Sequence, residues 1–407
     1  MGGAAPALVL HARYRLPFLP AFGVSSMSSR AEPTLLGKWW WTVDRSLLFC
    51  VFGLMVIGVV ALMAGGPPVA ERLGLATFHF VNRQAIFLVP AVGILLFVSF
   101  LSPRWVRRLA LVTFIGALAG VIACLFIGAE VKGARRWLSL GPMTLQPSEF
   151  LKPAFVVLVA WAFSEGSKRA DMPGTLLATL LLPITVVPLI LQPDFGQTML
   201  VTLVWGGLFF IAGLHWFWVM GLGGIGLVGI AAAYEFVPHV RERIERFMDK
   251  SSGDSFQVDT ALESFAAGGL LGKGPGEGSV KRILPDAHTD FIFAVTAEEF
   301  GVVACLVLIG IFATIVLRAL WVALASEDPF RRFAVTGLAM LFGVQACINM
   351  LVNVHLMPAK GMTLPFISYG GSSLWSLALG MGFLIALSRK RPRAEEMEQF
   401  TGHPRHG

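Results

Sequence analysis

The sequence predicts an all-α polytopic membrane protein of about ten transmembrane helices, with a large extracytoplasmic loop between helices 7 and 8. Three observations carry this. Of the 407 residues, 56% are hydrophobic and only 14% charged, with a mean hydropathy of +0.73, a balance outside the usual range of soluble globular chains. Apolar runs recur that are long enough to cross a hydrocarbon core of ~30 Å, which takes roughly 20 helical residues. The remaining polar residues gather between those runs or at their ends.

The runs lie at about 46–65, 85–102, 109–128, 150–165, 174–192, 195–213, 215–236, 291–317, 333–356 and 371–388. The fourth is the shortest. Together they form one membrane domain, 46–388, between a basic N-terminal tail (1–45) and a C-terminal tail (389–407), with the large loop at 237–290. No repeat of 20–50 residues breaks it into units. Arg13 and Arg15 follow only a weakly apolar opening, so no secretory signal peptide is read there, and Met27 is an alternative start.

Ten spans place both termini on one side. That side collects the cations close to helix ends: Arg104, Arg107 and Arg108, then Lys168 and Arg169, then Arg318, Arg331 and Arg332, then Arg389, Lys390, Arg391 and Arg393. The positive-inside rule makes it cytoplasmic. The net charge of +7 is thereby a topological feature rather than a sign of nucleic-acid binding. Cys50, Cys124, Cys305 and Cys347 all lie in apolar runs, without the paired spacing of disulfides or metal ligands.

Basic residues on the opposite side need a reason. The stretch 239–247 alternates charge as a short interfacial helix does, or belongs to a loop long enough to translocate regardless of charge. In 133–152, Arg135 and Arg136 precede a helix start at Pro147-Ser148-Glu149, with Ser148 as its N-cap. Lys152 then falls on the first turn at membrane depth, where an ionisable side chain is costly and points to function. That reading is set ahead of the alternatives, that Lys152 snorkels to the interface or pairs with Glu149 at i, i+3.

The large loop ends on a glycine cluster, 268–276, suited to tight turns or to close backbone approach to a ligand, followed by His288-Thr289-Asp290. Asp290 is the last polar residue before an apolar helix: either an N-cap or a carboxylate held at the water–lipid boundary as a general base. Glu298 and Glu299, two turns further in, argue for a polar cavity. Residues 357–373 hold prolines, glycines and hydroxyls between two spans, which is tolerated at membrane depth only where protein buries the segment or it lines a cavity. Gln345 and Asn349 share one face of the preceding span and read best as helix-packing residues. Gln192-Pro193-Asp194 reads as a short turn.

The blocks Gly133-Ala134-Arg135-Arg136-Trp137, Gln146-Pro147-Ser148-Glu149-Phe150, Gln192-Pro193-Asp194-Phe195-Gly196, His288-Thr289-Asp290-Phe291 with Glu298-Glu299-Phe300-Gly301, and Pro365-Phe366-Ile367-Ser368-Tyr369-Gly370-Gly371 resemble, in order, the signature blocks of the SEDS family. The lead-in Lys360-Gly361-Met362-Thr363-Leu364 resembles the divisional branch more than the elongation branch. Phe300 stands where the family usually has Leu. The resemblance implies a peptidoglycan glycosyltransferase of the bacterial inner membrane at the division septum. It would polymerise lipid II into β-1,4 glycan strands beside a class B penicillin-binding transpeptidase (FtsI-like) and other divisome membrane proteins. It implies Asp290 as the catalytic residue and Arg136, Gln146, Glu149, Lys152, His288, Lys360 and Ser368 as substrate-binding positions. No obligatory cofactor follows, though a divalent cation, magnesium or manganese, could assist the leaving pyrophosphate. A lipid II flippase and a scaffold for the transpeptidase are the competing classes.

Overall fold

The computed structural model describes residues 34–131, 134–141, 143–169, 171–213, 255–358 and 361–390, with scattered positions between 217 and 245. The chain divides into two units, Met1–Trp41 and Thr42–Gly407. The first contains most of a short helix, α1 (Leu35–Thr42), with the Trp39-Trp40-Trp41 cluster. Everything below concerns the second.

Its helices are α2 (Arg45–Arg72), α3 (His79–Ser99), α4 (Pro103–Ile127), α5 (Pro147–Lys168), α6 (Gly174–Leu191), α7 (Phe195–Ile211), α8 (Ser255–Gly268), α9 (Ile292–Leu324), α10 (Pro329–Asn353) and α11 (Gly371–Ser388). Among the described residues eight of them are long and apolar enough to cross a membrane, and α7, at 17 residues, is a shorter apolar helix. These nine match nine of the ten predicted runs. The other run, 215–236, and the 239–247 stretch fall largely outside the described residues.

The least certain of the predicted spans, α5, is the centre of the bundle. It packs against α4, α6, α7, α10 and α11. A central helix meets protein instead of lipid, so it can carry polar groups that a lipid-facing span cannot. Its N-cap is Gln146, with Pro147 in the first turn. Ser148, expected as the cap, lies inside the helix with its hydroxyl buried and unpartnered, because Pro147 at the first helical position moves the boundary back by two residues.

Three aspartates do cap helices. Asp44, Asp194 and Asp328 accept from backbone N–H groups at the starts of α2, α7 and α10. Each carboxylate also pairs with a cation from another element: Arg318 at 2.8 Å, Arg136 at 3.7 Å and Lys168 at 2.8 Å respectively.

Strands were not predicted. Residues 129–145 form a three-stranded antiparallel meander, β1 (Ala129–Val131), β2 (Ala134–Leu140) and β3 (Met143–Leu145), with Ala129 opposite Trp137 and Leu138 opposite Leu145. It joins α4 to α5 and satisfies its backbone internally where water is scarce.

α9 is broken at Gly301, which has φ 80° and ψ 175°. The break leaves helix carbonyls and amides without i, i+4 partners, and the glycine-rich segment after α8 supplies them. Lys273 N donates to Glu298 O and Gly274 N to Glu299 O, both at 3.0 Å, while Val302 N and Val303 N donate to Gly269 O and Leu270 O at 3.0 and 3.2 Å. A Cβ on Gly301 would stand 2.3 Å from Leu270 O. Within the glycine cluster, Gly268 and Gly272 make their close approach to the backbone of α9.

Glu298 and Glu299 belong to the same clamp. Fully buried Glu298 accepts from the amides of Ser279, Val280 and Lys281 at 2.7, 2.8 and 2.9 Å, which cap a single 3-10 turn, Val280–Arg282. Glu299 pairs with Lys281 and accepts from Gly276 N at 3.1 Å. Where a polar cavity was expected around these acids, both are enclosed and hold loop backbone and Lys281.

The irregular segment 361–370 is buried in protein, with Leu364 and Ile367 fully enclosed. It passes so close to α2 that a Cβ on Gly58 would lie 2.2 Å from Phe366 O.

Candidate active site

The blocks singled out in the sequence meet at one end of the bundle, where α4, α6 and α10 finish and α5, α7, α9 and α11 begin. Asp290 stands just before α9, whose N-cap is Phe291 without a side-chain bond. Asp290 is therefore not the N-cap residue. It lies over the backbone of Gly361, with Oδ2 4.0 Å from where a Cβ would be. Gly361 adopts φ 64°, a conformation costly for residues with a side chain.

The main chain here is held residue by residue. His288 O accepts from Tyr369 N at 3.0 Å. Thr289 O accepts from the Ser368 hydroxyl at 2.6 Å. Asp290 O accepts from the Asn349 and Asn353 amides, each at 2.9 Å. Ser368 is buried, and its oxygen also accepts from Leu364 N at 2.8 Å.

Beside this segment lies a cavity of about 340 Å³, lined in part by Arg83, Trp137, His288, Thr289, Tyr369 and Trp375, a size within the roughly 300–1,000 Å³ typical of small-molecule sites. His288 forms an aromatic cluster with Phe80 and Tyr369, whose ring centroids lie 4.3 and 5.6 Å from its own and 5.1 Å from each other. Burial pushes its imidazole down to about 4, Asp286 pulling upward and Arg72 adding to the fall. It is therefore neutral near pH 7, and among the described residues Arg83 is the one cation in the lining.

Lys152 and Arg136 do not line this cavity. Lys152 Nζ pairs with Glu149 Oε2 at 3.0 Å, both side chains almost wholly buried, and donates to Gln345 Oε1 at 3.2 Å. Glu149 also accepts from Gln197 Nε2 at 2.6 Å. Arg136 closes the α6–α7 turn: its guanidinium donates to the carbonyls of Gln192 and Pro193 and pairs with Asp194 at 3.7 Å. The backbone N–H of Gln146 donates to Ser372 Oγ at 3.1 Å. Lys360 lies outside the described residues.

Sequence reasoning missed Arg83, because an Arg at the edge of an apolar run looks like an interfacial anchor. It also read Asp194 and Gln197 as parts of a short hairpin turn. Among the described residues no three His, Cys, Asp or Glu side chains converge as metal ligands, so we derive no step through a metal.

The comparisons with known proteins agree with the blocks. A family model described as cell cycle protein, for FtsW, RodA and SpoVE, matches residues 44–393. The chain is 47% identical over 367 residues to a probable peptidoglycan glycosyltransferase FtsW of Caulobacter vibrioides, covering 90% of this chain and 94% of that one. To the FtsW of Trichlorobacter lovleyi, described in the same words, it is 35% identical over 357 residues, 85% and 93% of the two chains. Among solved structures, a chain from work on "structural coordination of polymerization and crosslinking by a peptidoglycan synthase complex" is similar at TM-score 0.72 and 30% identity, covering 86% of this chain and 98% of that one. The rod shape determining protein RodA of Thermus thermophilus is similar at TM-score 0.64 and 28% identity, covering 86% and 97%. On the match of the family model and the relatives together, the chain belongs to the FtsW/RodA/SpoVE family of polytopic SEDS membrane proteins.

Proposed function

We propose that this chain is a peptidoglycan glycosyltransferase of the divisional type, polymerising lipid II at the outer face of the bacterial inner membrane, at the septum. The observation that carries this reading is the placement of Asp290, one residue beyond the Thr289 that lines the cavity, with its main chain held by Asn349 and Asn353 and its Oδ2 over Gly361. The end of the bundle bearing the cavity faces outward and both termini face the cytoplasm, in keeping with the cations clustered at the other end. The growing strand and lipid II reach the site from the membrane. The adjacent class B transpeptidase (FtsI-like) crosslinks the product, with other divisome proteins around them.

Asp290 takes the proton from the acceptor C4 hydroxyl. That oxygen attacks the anomeric carbon of the growing strand, and the bond to undecaprenyl pyrophosphate breaks with inversion to a β-1,4 linkage. Pyrophosphate is a weakly basic leaving group, so it needs positive charge more than a general acid. Arg83 supplies that charge from the cavity wall. Arg136 and Lys152, which pair with Asp194 and Glu149, support the walls of the site. Removing the charge in Arg83→Ala is expected to lower turnover by on the order of 10²-fold, with Arg83→Lys losing less because charge remains without bidentate geometry; equal turnover in wild type and Arg83→Ala removes Arg83 from this role.

The test of the function is purified protein in detergent, given lipid II and its transpeptidase. Glycan polymer is expected. A flippase or a scaffold yields none, and an absence of polymer across partner transpeptidases would overturn the reading.

A further inference from the structure

We infer that Asn349 is a positioning residue for Asp290, acting with Ser368 by clamping the main chain on which the carboxylate is carried. The inference rests on the proposed role of Asp290 and concerns what holds it in place.

Asn349 is almost fully buried, and its single NH₂ group donates to two carbonyls on different segments, Asp290 O at 2.9 Å and Met362 O at 2.7 Å. It therefore ties the residue before α9 to the neighbour of Gly361, the backbone that the Asp290 carboxylate overlies. Two further ties keep this bridge in register. One turn earlier on α10, Gln345 uses its amide NH₂ to donate to Thr363 O at 3.1 Å, and its oxygen is fixed by Lys152 at 3.2 Å. One turn later, Asn353 donates to Asp290 O at 2.9 Å and accepts from Ala294 N at 3.1 Å.

Ser368 closes the other side by bridging Leu364 N and Thr289 O. With Tyr369 N on His288 O, three successive carbonyls entering α9 are all held by residues of 349–369. A buried amide with two acceptors has no donor left for substrate, and a Ser bonded on both sides to backbone is committed in the same way. Their effect on catalysis is therefore geometric: a displacement of about 1 Å at a reacting group can cost about 10²-fold in rate, with substrate binding little changed.

The experiment compares Asn349→Ala, Ser368→Ala, Ser368→Thr and Asp290→Asn as full chains with the transpeptidase partner, each in its folded, monodisperse fraction, assayed with fluorescent lipid II. For Asn349→Ala and Ser368→Ala we expect kcat to fall between about 10- and 10²-fold, while KM stays within about threefold, the pattern of an interaction realised in the transition state. Ser368→Thr, which keeps the hydroxyl, recovers most of the rate. Unchanged kcat in the two alanine variants, a loss confined to KM, or a Ser368→Thr as slow as Ser368→Ala would each overturn the inference. If Asn349→Ala does not fold, the Ser368 pair decides the question. Asp290→Asn separates the two levels: wild-type turnover there defeats the general-base reading itself, whereas an inactive Asp290→Asn beside fully active Asn349→Ala and Ser368→Ala defeats only the positioning role.

Discussion

Asp290→Asn is expected to abolish glycan polymerisation while leaving the fold intact. The amide has the shape of the carboxylate but cannot accept the C4 proton, so the loss should match the roughly 10²–10⁴-fold a positioned base contributes. The effect is not shared with a second carboxylate, as it is in most glycosidases, because the leaving pyrophosphate needs no protonation. The other acids of the region have structural tasks: Glu149 pairs with Lys152, Glu298 caps loop amides, and Glu299 pairs with Lys281. The fold should survive, since Asp290 is anchored through its backbone carbonyl, which the substitution does not touch. Polymer length and yield from purified lipid II provide the measurement. Normal polymer from the Asn variant would sink the base assignment.

The second large effect is expected on stability. Lys152→Met leaves Glu149 buried with its cation gone, and breaking a buried pair in this way costs about 3–5 kcal/mol. The midpoint of thermal unfolding in detergent should drop sharply, and expression with it. Adding Glu149→Gln removes the stranded charge, while the amide still accepts from Gln197 or donates to Ser376, whose hydroxyl lies 3.5 Å from Glu149. Lys152→Met with Glu149→Gln should therefore recover most of the stability and a measurable share of turnover. If the double variant folds, binds lipid II and has no turnover, Lys152 returns to the pyrophosphate as a direct contact.

These two cases show how much of the protein was legible before its structure. The spans were legible because a continuous apolar run of sufficient length has few alternatives in lipid, and α6 and α11 begin and end within a residue of the predicted bounds. The meander at 129–145 was not: two of its strands are three residues long, too short for an alternating pattern. The break at Gly301 was hidden because an apolar run reads the same through a kink, and only the loop that fills the gap reveals it.

Sequence alone determined the membrane class, the nine spans now seen, and the end of the bundle where Asp290, His288 and Ser368 would meet, because polar groups that cannot face lipid must collect where helices end. Tertiary structure decided which partners each of those groups meets. Arg136 and Lys152 stood among the expected substrate-binding positions; the Lys152–Glu149 pair was legible as i, i+3 neighbours, whereas Asp194, the partner of Arg136, and Gln345, the second partner of Lys152, lie far along the chain, and charge by itself does not say which way a side chain is committed. Arg83 drew no reading from the sequence; α3 places it on the cavity wall. Hydropathy depends on one residue and its neighbours in sequence; the use made of a buried charge depends on the partner that offsets its desolvation, and only the fold brings that partner into place.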